Sequence, residues 1–82
     1  MSARQIIDHA CARFGVADMI AGHSDAEVFR KVAPWLQAHS LPQLRAMLQA
    51  RLPPNVHIDT ILSREEQARV FQVVQHWSRI YG

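Results

Sequence analysis

Four times along the chain a serine is followed three residues later by Gln or Glu, at the head of an apolar stretch of helical period: Ser2…Gln5, Ser24…Glu27, Ser40…Gln43 and Ser63…Glu66. In such a capping box the serine oxygen accepts from an orphan backbone N–H, and the amide or acid reaches back to the serine N–H. Four of the five serines sit in one. This repetition predicts an all-α fold. The expected architecture is a small bundle of four main helices plus one short helical turn, with the third helix kinked or broken at Pro34. At 82 residues the chain is read as a single helical domain, residues 1–82.

The spacing predicts a first helix from about Ala3 to Phe14, with Gly15 supplying the left-handed C-terminal position. At roughly 100° per residue, Ile6, Ile7, Ala10 and Phe14 share its inner face and Cys11 lies at the edge. A short turn is expected over Val16–Ala21, between Gly15 and Gly22. The Ser24 helix carries Val28, Phe29, Val32, Trp35, Leu36 and His39 on one stripe, which stays in phase across Pro34. The phase favours a kink over a clean break, with two short helices as the alternative. Leu41, Leu44, Met47, Leu48 and Leu52 form the face of the Ser40 helix, and Pro53-Pro54 stop it.

Residues 55–62 read as an extended connector whose Val56, Ile58, Ile61 and Leu62 pack inward. The last helix is predicted over about 64–80, with Val70, Val73, Val74, Trp77, Ile80 and Tyr81 on its stripe. Phe71 stands off that stripe, roughly 100° from Val70 and among Arg64, Gln67 and Ser78.

Charge narrows the function classes. Nine basic residues face seven acids for a net charge of +2, and only Arg30 and Lys31 are adjacent. Such spacing describes solvated helix faces more than a nucleic-acid surface. Cys11 has no pairing partner in the chain, which points to a reducing, cytoplasmic setting. No apolar run approaches the ~18–20 residues of a membrane span, and no leader pattern is read at the start.

The histidines, at 9, 23, 39, 57 and 76, never fall three or four apart, so no helical face presents a metal-ligand pair. His57 and Asp59 share a face of an extended segment, but two ligands do not make a site. His9 and Cys11 point roughly 200° apart on a helix and form no dyad. His23-Ser24-Asp25 has the letters of a triad, yet Ser24 is a cap and adjacent residues do not converge. With only Gly15, Gly22 and Gly82 there is no phosphate loop. No catalytic residue, metal, cofactor, membrane or small-molecule substrate is expected.

Residues 2–21 resemble a helix-turn-helix in outline, but Asp18 stands where the second helix should bury an aliphatic side chain. Neither Arg nor Lys occurs between Val16 and Phe29. Arg45, Arg51, Arg64 and Arg69 form either a basic patch or two solvated faces, the second being favoured. Aromatics and arginines dominate interface energies. Trp35 and Trp77 lie on core stripes. Phe71 is either an edge residue covered by Pro53–Leu62 or an exposed anchor. The expectation is therefore a non-enzymatic protein-binding module, a small adaptor, inhibitor or regulator. Small size, arginine bias and absent chemistry would suit a phage-encoded inhibitor of a host complex. Phe71, Arg64, Gln67 and Gln75 are the candidate contacts, and the occupant is a protein partner or a second copy. A DNA-binding transcriptional regulator is the alternative.

Overall fold

The serines place the starts of the helices. In the computed structural model, α1 spans Ala3–Arg13, α2 Asp25–Leu36, α3 Leu41–Ala50, α4 Ile58–Ile61 and α5 Arg64–Tyr81, with a 3-10 turn at Ala17–Met19. The structure describes residues 2–36 and 38–82, and at 33–36 it describes the backbone path. Among the described residues there is no strand, so the all-α bundle of four main helices stands.

Two of the four capping boxes are complete. Ser2 Oγ accepts from the Gln5 N–H at 3.2 Å while Ser2 N–H donates to Gln5 Oε1 at 2.8 Å. Ser63 and Glu66 repeat this at 3.1 and 2.9 Å. At α2 and α3 only the serine half forms, to Glu27 N–H and Gln43 N–H. The residue preceding each of those serines competes for the returning side chain. Gln43 Oε1 accepts from the His39 N–H at 2.7 Å, and Glu27 Oε2 meets His23 Nδ1 at 2.7 Å.

α1 ends as expected. Gly15 adopts φ +75°, Val16 N–H donates to the Cys11 carbonyl at 2.9 Å, and Gly15 N–H donates to that of Ala12 at 3.1 Å. This is the paired bonding of a Schellman motif. Gly22 has φ +77° and turns the chain into α2. The backbone of α2 runs through Pro34 to Leu36 as one helix, which removes the two-helix alternative. His39 lies beyond α2 and is exposed, so it does not belong to the α2 stripe. The stripe positions Trp35 and Leu36 lie outside the described side chains.

The extended reading of 55–62 is corrected, because Ile58–Ile61 is one turn of helix. His57 Nδ1 accepts from the Asp59 N–H at 3.2 Å and Thr60 Oγ1 donates to the His57 carbonyl at 2.6 Å. Gln49 of α3 holds the approach to this turn, donating to the Val56 carbonyl at 2.7 Å and accepting from the Ile58 N–H at 2.9 Å. Ile58 and Leu62 are buried as expected.

α5 is the central helix, packing against α1, α2 and α3. It contributes Val70, Val73, Val74 and Trp77 to a core shared with Ile7, Ala10 and Cys11 of α1, Val28 and Val32 of α2, and Leu44 and Leu48 of α3. Its 18 residues reach about 27 Å, whereas the 11 of α1 and 12 of α2 reach only about 16 and 18 Å. The last turn therefore outruns its neighbours. Ile80 is 55% exposed and Tyr81 39% exposed, so neither completes the core stripe as the periodicity predicts. Tyr81 still packs its ring near Trp77 and Phe29, with centroids 6.1 Å from each.

Candidate functional site

Arg64, Gln67, Phe71 and Gln75 share one face of α5, but they do not form one exposed surface. Gln67 is 0% exposed. A buried amide must satisfy both donors and its acceptor, and the neighbours of Gln67 do so. Its Nε2 donates to Asp59 Oδ1 and to the Leu62 carbonyl, each at 2.8 Å, and its Oε1 accepts from Arg45 Nε at 2.8 Å. Gln67 thus joins α3, α4 and α5 from within, and its assignment as a partner contact is corrected on that ground.

Asp59 is the hub of this network. Arg45 Nη2 donates to both of its oxygens, at 3.2 and 3.3 Å, and Arg64 Nε donates to Oδ2 at 3.3 Å. The hydrogen bond from Gln67, then that from Arg45, with the two arginine charges, holds the Asp59 carboxyl below its ordinary value against the cost of desolvation. Arg64, though largely exposed, is committed to Asp59. Arg69 pairs with Glu65. The arginines of α3 and α5 therefore form no free basic patch: of the four considered, Arg45, Arg64 and Arg69 have acidic partners. Phe71 is half-buried and packs against the core, which is the edge-residue reading. Gln75 is exposed and lines a depression with Phe29, His39, Ser78 and Arg79.

The residues considered for catalysis are likewise engaged in structure. Cys11 is buried, and desolvation pushes its thiol up to about 11. His9 meets Glu66 across the α1–α5 interface. Glu66 is held below its ordinary range, first by the Ser63 backbone N–H and further by His9. The letters of the triad point to three different partners: His23 to Glu27, Ser24 to the Glu27 N–H, and Asp25 to Arg4. Among the described residues no three His, Cys, Asp or Glu side chains converge on a metal position.

Arg4 is a residue whose role sequence reasoning missed. It donates from Nε to Asp8, from Nη1 to the His23 carbonyl at 2.6 Å and to Asp25 at 3.0 Å, and from Nη2 to the Ile20 carbonyl at 2.9 Å. One guanidinium thereby fastens residues 20–25 to α1. Between Gly15 and Gly22 the chain makes only the three-residue 3-10 turn, which gives no helix long enough to lie in a DNA groove.

A second opening lies elsewhere. The end of α1 (Phe14), the turn that follows it (Val16 and Met19), the middle of α2 (Lys31) and the end of α3 (Arg51, Leu52 and Pro53) surround an open trough of about 570 Å³. Met19 is 45% exposed in it. Lys31 and Arg51 are exposed on its rim, and neither makes an ion pair among the described residues. Among the described residues no acid lines it. The one sequence signal for this place is Met19, a large apolar side chain on a segment too short to bury it. Comparison of the chain with protein-family models, curated proteins and solved structures finds no match.

Proposed function

We propose that this chain is a non-enzymatic protein-binding module, a small adaptor, inhibitor or regulator that docks its partner in the Phe14–Met19–Pro53 trough. The observation that carries this reading is the composition of the trough: five apolar side chains around an open space of about 570 Å³, with Met19 presented to solvent. The Arg45–Asp59–Gln67 cluster, by contrast, is closed among its own members. Methionine suits such a surface because its unbranched, polarizable side chain adapts to varied partners.

The test compares two variants as immobilised baits. Met19→Gln keeps the length of an exposed side chain, so the melting temperature should stay within a few degrees of the parent, while partner capture is lost. Phe71→Ala should cost about 2 kcal/mol from the edge of the core and leave the captured set unchanged. Identical capture by the parent and Met19→Gln would remove the trough as the docking surface.

Self-association is the second reading, favoured by the exposed Ile80 and Tyr81 at the end of α5. Light scattering over a concentration series separates the two. A mass that doubles with concentration, and returns to that of the monomer in Ile80→Lys, assigns that end of the bundle to a second copy.

A further inference from the structure

Resting on that reading, we infer that the partner segment is an acidic amphipathic helix: apolar side chains enter between Phe14, Met19, Leu52 and Pro53, and flanking carboxylates meet Lys31 and Arg51. Charge complementarity carries the assignment. The rim holds two positive charges that make no ion pair among the described residues, and no described carboxylate lines the trough; the acids closest along the chain are Asp18, exposed beside Met19, and Glu27, one turn before Lys31 and paired with His23. The backbone field acts against these charges. α1 and α3 both end here, capped at Phe14 and Arg51, and a helix C-terminus carries roughly −0.5 of a charge. That field falls off within a turn, and at α1 the carbonyls of Cys11 and Ala12 are already occupied by Val16 and Gly15. Two whole charges lining the trough outweigh that field and the single Asp18 carboxylate at its margin, and the rim attracts anions.

The shape selects a helix among peptide conformations. Strand addition needs a sheet edge, and no strand exists among the described residues. Polyproline segments dock on grooves lined with several aromatics, whereas Phe14 is the single aromatic among the described residues of this lining. A drug-sized molecule is held by burying most of its surface, which a trough with Met19 45% exposed does not do. Nucleic acid draws its affinity from many phosphate contacts, and two cations separated by apolar side chains provide few. An amphipathic helix presents apolar anchors at i, i+3, i+4 and i+7 with charges alongside, which matches an apolar floor with a basic rim.

Fluorescence anisotropy on the whole chain tests this with three labelled helical peptides of about 14 residues. All share Leu at i, i+3, i+4 and i+7, and they carry Glu, Gln or Lys at the flanking positions. The Glu peptide should bind tightest and the Gln peptide about fivefold weaker, with the Lys peptide weaker still. The preference for Glu should shrink as salt rises. In Lys31→Gln/Arg51→Gln, checked for helicity by far-UV circular dichroism, the Glu and Gln peptides should bind alike. Equal binding of Glu and Gln peptides to the parent chain overturns the acidic assignment and leaves apolar docking in place. No binding by any peptide, or binding untouched by Met19→Gln, overturns the trough itself and with it the reading above. Duplex DNA that displaces the Glu peptide more strongly than unlabelled Glu peptide does would assign the rim to phosphates instead.

Discussion

At Gln67 a residue offered by the sequence as a surface contact is a fully buried junction. The wheel places it about 20° from Val74 and about 40° from Phe71, at the margin of the apolar stripe. What the wheel cannot show is that α4 covers this side of α5 and brings Asp59 and the Leu62 carbonyl to the amide. Gln67→Met preserves length and bulk but removes three hydrogen bonds and leaves the Leu62 carbonyl without its donor. The expected loss is about 2–3 kcal/mol in urea unfolding, and a loss below about 0.5 kcal/mol would mean the network contributes little. Single carboxylates act at the same scale through pH. Asp59, Glu66 and Glu27 are each held below their ordinary values, by hydrogen bonds from Gln67, from the Ser63 N–H and from His23 respectively. Their folded pKa values lie below their unfolded ones, so the unfolded chain binds more protons as acid is added. Their stabilisation is complete above about pH 5 and is lost as pH falls through the folded values, beneath the ordinary 3.8 of Asp59 and 4.5 of the glutamates. Urea midpoints should be flat from pH 6 to about 5 and then fall, and Asp59→Asn should fall less steeply.

At the scale of elements, the chain announces its helix starts more clearly than its helix interiors. The serines mark α1, α2, α3 and α5, because an N-cap depends on a few adjacent residues. α4 was hidden for the opposite reason. Val56 and Ile58 alternate with polar residues as in a strand, while a single helical turn depends on tertiary support, here Gln49 holding its entry and Gln67 its exit. The difference between complete and half-formed boxes yields a graded expectation. Ser63→Ala removes an acceptor and disturbs the Glu66 return bond, and should cost about 1–2 kcal/mol. Ser24→Ala and Ser40→Ala each remove one bond and should cost about 0.5–1 kcal/mol. Thermal or urea unfolding of the three variants checks the order, and equal costs would show that the two halves of a capping box act independently.

For the molecule as a whole, the legibility of fold and site diverges. The central place of α5 is seen in its packing against α1, α2 and α3, while the number of main helices and the length of α5 follow from capping and apolar period. The trough does not, since it is assembled from the end of α1, a turn, the middle of α2 and the end of α3, no two of which are adjacent in a pattern the chain could display. Regular spacing points to a surface face of α5, but Asp59, which binds Arg64 and Gln67 of that face, lies outside the helix. Regular spacing locates faces; which faces remain open is decided by the segments that fold back over them.

The burial of Cys11 gives this molecule an internal clock. With its thiol enclosed by the packing around α1 and its pKa raised to about 11, it reacts with an alkylating reagent only when the bundle opens. Labelling should be far slower than for a free thiol at pH 8, and its rate should track the fraction of molecules transiently open. Gln67→Met and Ser63→Ala should then accelerate labelling in proportion to their unfolding equilibria, whereas a partner seated in the trough should retard it. One cysteine with no chemistry of its own thus offers a mass-spectrometric record of how often the fold breathes and of what closes it.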